Sequence, residues 1–101
     1  MKSGKVWGCT ECIFHKSDTS VHRIAINPGG YCSRHKHRSK FNMFFVESGH
    51  IRVHQWTAPG LKDTTDLRTG ETLIVSPGIE HRFVAEAESV VYEIYWEELK
   101  L

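Results

Sequence analysis

Gly29-Gly30-Tyr31-Cys32-Ser33-Arg34-His35-Lys36-His37-Arg38-Ser39-Lys40-Phe41-Asn42-Met43-Phe44-Phe45-Val46-Glu47-Ser48-Gly49 sets two imidazoles two positions apart, follows them with an aromatic-rich run, and frames both with glycines. In an extended strand, residues i and i+2 project from one face. His35 and His37 can therefore enter one interior and share a metal, with Ser33 expected on the same face and Arg34, Lys36 and Arg38 on the other. The run from Phe41 to Glu47 reads as a strand that carries Asn42 and Phe44 inward.

Outward from this stretch, strand signals continue in both directions. Val21 to Ile26 is short and β-branched and stops at Asn27-Pro28-Gly29-Gly30. His50 to Trp56 alternates sharply, and Ala58-Pro59-Gly60 opens a polar loop. Asp66 to Arg68 reads as a short strand, Thr72 to Val75 as another closed by Ser76-Pro77-Gly78, and His81 to Ala85 as the next. Val90 to Trp96 alternates again, with Val90, Tyr92, Ile94 and Trp96 on one face. Glu93 falls on the other face with Val91 and Tyr95, an outward apolar pair that would suit a homodimer interface. Residues 97–101 could form a terminal turn. No long segment carries the apolar spacing and caps of a helix. Many short strands between Gly/Pro turns imply an all-β sandwich or barrel. At 101 residues the chain is expected to form one domain, 1–101, with a single core.

Composition narrows the function classes. Thirteen basic and 12 acidic side chains leave a net charge of +1, which argues against a general polyanion binder such as a nucleic-acid protein. The first 50 residues hold eight basic and three acidic groups, and the rest five and nine. Arg34 to Lys40 reads as a basic patch, but no aromatics interleave for base stacking. No apolar run is long enough to span a membrane, and Met1 to Lys5 leads into no signal-like stretch, so a cytoplasmic protein is expected. Three cysteines make no disulfide framework; Cys9-Thr10-Glu11-Cys12 is half a zinc site without its second pair, and reads as reduced thiols.

Histidine usage is the unusual feature, at seven residues. His50 and His54 look like a second pair, but Ile51 and Val53 must face the core of that strand, which turns both histidines outward. His81 is different. Gly70 to His81 is a strand, a Pro-Gly turn and a third histidine. Together with Gly29-x5-His35-x-His37-x4-Asn42-x6-Gly49, it resembles the paired motifs of the cupin superfamily, G-x5-H-x-H-x4-E-x6-G and G-x5-P-x-G-x2-H-x3-N. In the second motif the proline falls on Ser76 and the final Asn on Ala85. The resemblance implies a jelly-roll barrel (a double-stranded β-helix) with a divalent metal on His35, His37, His81 and the residue at Asn42, where the family has glutamate.

Within that superfamily, Lys5-Val6-Trp7-Gly8, Asn27 to Ser33, Val46 to Val53 and Gly70 to Arg82 look like the corresponding segments of type II mannose-6-phosphate isomerases. That likeness implies a phosphorylated sugar or related small anion as ligand and an aldose–ketose isomerisation. Lys40 or Arg82, and also Arg23, are candidates to meet the anion, while no catalytic base is identifiable. Three neutral imidazoles and an amide favour Zn²⁺, Ni²⁺, Fe²⁺, Cu²⁺ or Mn²⁺ over hard Mg²⁺. Two other readings stand beside the isomerase. One is a three-histidine Fe(II) oxygenase of a small molecule, and the other a non-catalytic module that binds a sugar or small anion. Phe44 and Phe83 share the inward faces of Asn42 and His81 and are the expected pocket wall.

Overall fold

The computed structural model describes residues 2–98. Nine strands run in the order β1 (Lys2–Lys5), β2 (Gly8–Lys16), β3 (Thr19–Ile26), β4 (Phe41–Ser48), β5 (His50–Ala58), β6 (Leu61–Arg68), β7 (Thr72–Val75), β8 (Glu80–Ala85) and β9 (Ser89–Trp96). Among the described residues there is no helix. Every strand pairing is antiparallel, in one six-stranded sheet of order β1-β2-β3-β9-β4-β7 and one three-stranded sheet of order β6-β5-β8. This is the all-β architecture that the turn spacing implied, in the jelly-roll form that the cupin resemblance implied. Of the expected terminal turn, residues 99–101 lie outside the described residues, and Glu97 and Glu98 have no regular structure.

One hydrophobic cluster fills the space between the sheets. Ile24, Ile26, Phe44, Val46, Val75 and Val91 face in from the large sheet, against Ile51, Val53, Leu67, Phe83 and Ala85 from the small one. Each fully buried side chain of this size stabilises the fold by about 1.5–3 kcal/mol. Ile51 and Val53 are buried as the alternation of β5 requires, and His50 sits outside with its ring on Asp66.

Three sequence expectations are corrected. First, the polar loop after Ala58 is only a turn, and β6 begins at Leu61. Its first six residues, Leu-Lys-Asp-Thr-Thr-Asp, carry no alternation because β6 is an edge strand that buries only Leu67. Second, the faces of β9 are reversed. Val91, Glu93 and Tyr95 point into the barrel; Val91 is fully buried and Glu93 is 9% exposed. Both faces of β9 are rich in large apolar groups, since it lies between β3 and β4, and alternation alone cannot choose between them. Val91 and Tyr95 therefore offer no dimer surface.

Third, the His35/His37 segment is not a regular strand. It runs antiparallel to β8 as a broken one, with bridges Tyr31↔Val84 and His35↔His81. The two bridges differ in register by one residue, which is a bulge at Ser33-Arg34. The bulge changes the facing parity along the segment. Cys32 and His35 both turn inward, and Ser33, expected beside the histidines, is exposed. At the bulge the Phe83 N–H donates to Cys32 Sγ (3.3 Å).

Candidate metal centre

Backbone pairing builds the site. The His35 N–H donates to the His81 carbonyl (3.0 Å), the His81 N–H returns to the His35 carbonyl (2.8 Å), and the Gly78 N–H donates to the His37 carbonyl (2.8 Å). The Pro77-Gly78 turn and the broken strand are thus stitched together where the three rings meet. Ring centroids lie 4.5 Å apart for His35 and His81, 5.1 Å for His35 and His37, and 5.4 Å for His37 and His81. One nitrogen from each ring falls within 4.8 Å of the others.

Tautomers follow from the partners. His35 Nδ1 lies 2.7 Å from the Ser33 carbonyl, and His81 Nδ1 lies 2.9 Å from the Ile79 carbonyl. A carbonyl can only accept, so each Nδ1 carries the proton and each Nε2 keeps its lone pair for a metal. Burial pushes the His37 imidazolium down to about 4, helped by the nearby His35, His81 and Lys40, and burial also lowers His81. Both rings are held neutral at pH 7, the state in which imidazole ligates.

Five buried side-chain polar atoms among the described residues have no hydrogen-bond partner. Four of them are His37 Nε2, His81 Nε2, Asn42 Oδ1 and Asn42 Nδ2. Leaving such atoms unpaired costs about 1–3 kcal/mol each. A divalent transition metal fits this donor set, since it satisfies the ring nitrogens and an amide oxygen together. Phe44 and Phe83 wall the cluster, with Phe44 edge-on to His81 at 6.3 Å and to Phe83 at 6.4 Å.

The inward face of β9 adds residues that the sequence reading placed outside. The Tyr95 hydroxyl donates to Glu93 Oε2 (2.7 Å), and the Tyr95 ring stands edge-on to His37 at 5.1 Å and to His22 at 5.6 Å. Burial pushes the Glu93 carboxyl up, while the Tyr95 bond, the charge available at His35 and the Asn42 amide draw it partly back. Burial and the Glu93 charge likewise push the Tyr95 phenol up. Only the reversed β9 register reveals these groups. The available signal was a strand with apolar residues on both faces, in which a charged residue has no solvated side to take.

The proposed anion contacts separate. Lys40 is half-buried, and its charge helps depress both His22 and His37. Arg82 follows His81 on β8 and faces the other way, with its guanidinium 5.5 Å from the centre of the Tyr31 ring. Arg23 lies on the outer face of β3, 3.8 Å from Glu47. Arg34 stacks over Trp56 at 3.8 Å and pairs with Glu80, so this residue of the basic run is engaged within the protein. Cys9, Cys12 and Cys32 are free thiols.

A jelly roll with three imidazoles gathered inside is a β-barrel with a candidate metal centre. The chain belongs to the cupin domain family, which it matches over residues 22–96. No curated protein matches it in sequence. Among solved structures it is similar to KdgF from Halomonas sp., with a TM-score of 0.83 at 16% identity over 99% of this chain and 88% of that one. It is also similar to the oxalate decarboxylase of Lactobacillus farciminis in complex with formate (TM-score 0.84, 20% identity), covering 96% of this chain and 30% of that one. The oxalate decarboxylase of Bacillus subtilis, a protein with Mn(II) centres, gives a TM-score of 0.83 at 14% identity, over all of this chain and 28% of that one. At these identities the likeness shows the fold.

Proposed function

We propose that this chain is a metal-dependent cupin that binds and activates a small anionic ligand, with a sugar phosphate as the ligand class. The observation that carries it is the gathering of the His35, His37 and His81 ring nitrogens within 4.8 Å of one another, in a barrel that also buries the partnerless Asn42 amide. His35, His37 and His81 would hold the ion through Nε2, and Asn42 through Oδ1. The Mn(II) centres of the B. subtilis oxalate decarboxylase support manganese beside zinc, nickel and iron. When bound, the metal supplies Lewis-acid polarisation of a ligand carbonyl or hydroxyl. Lys40 meets the anionic group as a point charge. Phe44 and Phe83 close the inner wall and exclude water, which strengthens each charged contact.

Elemental analysis of protein purified without chelator tests the metal, with about one equivalent expected. A coupled assay with mannose 6-phosphate and added divalent metals tests the isomerisation. Tight binding without turnover favours the non-catalytic module instead. A donor set of three imidazoles without a carboxylate favours a second reading, an Fe(II) oxygenase, for which Fe²⁺-dependent oxygen uptake is the readout.

A homodimer belongs to the same proposal, moved to a different surface. Ile74, Met43, Ile94, Val21 and Phe14 lie in register across five strands of the large sheet, facing away from the core. Ile74 and Phe14 are 50% and 49% exposed. A second copy would cover this row by twofold pairing. Three free thiols suit a reducing compartment, which supports a cytoplasmic location. Among the described residues no helix is long and apolar enough to cross a membrane.

A further inference from the structure

A divalent ion on three neutral imidazoles and an amide keeps its full charge inside a low-dielectric barrel. Such a charge is costly unless an anionic group stands close by. The donor set contains no carboxylate. Glu93 is the one buried carboxylate among the described residues, and it lies on the same interior. Asn42 pairs with Tyr95 across β4 and β9, and Glu93 pairs with Phe44, so Asn42 and Glu93 are diagonal neighbours on the inward face. The Tyr95 hydroxyl holds Glu93 Oε2 at 2.7 Å and fixes the carboxylate in place. Both polar atoms of the Asn42 amide are buried without a hydrogen-bond partner on this face, and the amide helps draw the Glu93 carboxyl down. An amide whose nitrogen turns to Glu93 has its oxygen free to turn toward the imidazoles.

We propose that Glu93 is the anionic partner of the metal centre, seated by Tyr95 and acting through Asn42, whose amide it orients with Oδ1 toward the ion. Glu93 is a positioning residue here. Its oxygens are not part of the cluster in which the three histidine nitrogens lie within 4.8 Å of one another. The inference rests on the metal-centre reading above.

The experiment is calorimetric titration of metal-free protein with Zn²⁺ and with Mn²⁺. Glu93→Gln should weaken binding at least tenfold. The double variant Asn42→Asp/Glu93→Gln, which moves the carboxylate across to β4, should recover affinity to within about threefold of the parent, an outcome a purely structural role would not produce. Parent-like affinity in Glu93→Gln overturns the proposal, as does failure of the double variant to recover. If the parent itself takes up no metal, the metal-centre reading falls, and this inference falls with it. Should Glu93→Gln not fold, the native protein still decides. On Zn²⁺ addition the Asn42 side-chain amide protons should move downfield and exchange more slowly, as the nitrogen closes on Glu93. Unchanged Asn42 signals overturn the proposal.

Discussion

Each ring at the centre has its second nitrogen accounted for or its charge suppressed, and this makes the residues separable by mutation. His81 is buried, committed through Nδ1 to the Ile79 carbonyl, and bridged to His35 through the backbone. His81→Ala should abolish metal retention, from about one equivalent to none by elemental mass spectrometry. His50→Ala, on the outer side with its ring on Asp66, should leave retention unchanged. The depressed His37 also makes a pH prediction for the metal-free protein. Its folded pKa is about 4 against an ordinary 6.5, so the unfolded chain binds more protons between those values. The stability that His37 contributes is therefore fully present above about pH 6.5 and is lost as pH falls toward 4. The raised Glu93 acts with the opposite sign, so the comparison must be differential. The difference in melting temperature between the parent and His37→Asn should shift in favour of the variant from pH 7 to pH 4.5. A difference that stays constant over that range would contradict the assignment. The imidazoles were legible because their spacing is local. Glu93 was not, because its facing is set by β3 and β4, which pair with it from distant parts of the chain.

Strands with one apolar face were easy to place from sequence. Thr72–Val75 is found as expected, and Phe41–Ser48 and His50–Ala58 differ from expectation by a residue or two at their ends. β1 and β2 were missed. They form the outer end of the large sheet, where no alternation is enforced by a second layer, and β1 is exposed throughout. The turn between β4 and β5 shows why a framing glycine belongs to the fold as well as to a motif. Gly49 has φ 102°, and a Cβ there would collide with Ser89 Oγ and the Glu88 carbonyl. That serine holds the turn, accepting from the His50 N–H at 3.0 Å. Gly49→Ala should cost about 2–4 kcal/mol, from left-handed strain plus overpacking, measured by urea unfolding at constant m. Gly60→Ala, with φ 76° but open space around it, should cost less, since strain alone acts there.

For the whole molecule, the two sheets differ in what they ask of their surroundings. The small sheet is crossed by ion pairs on its outer side, where Asp66 holds both His50 and Arg52, and Arg52 also reaches Glu86. The large sheet carries instead the row from Ile74 to Phe14. Sedimentation velocity should find about twice the mass of the 11.6 kDa chain. Met43→Lys with Ile94→Lys should give a folded monomer that keeps its metal, because both side chains face away from the centre. A parent that sediments as a monomer would remove the dimer. The all-β architecture was legible from turn spacing, and its jelly-roll form from the family resemblance that the histidine frame carries. Which face of β9 turns outward was not, because that strand is apolar on both sides.

The mutual backbone pairing of His35 and His81 also sets an order of events in time. These residues come from segments nearly half the chain apart, and the loop between them closes late by the general cost of non-local contacts. Before that closure there is no coordination sphere, so an ion cannot template the early chain. Metal should therefore leave the refolding rate where it is and slow only the unfolding rate, acting as a latch on a structure already made.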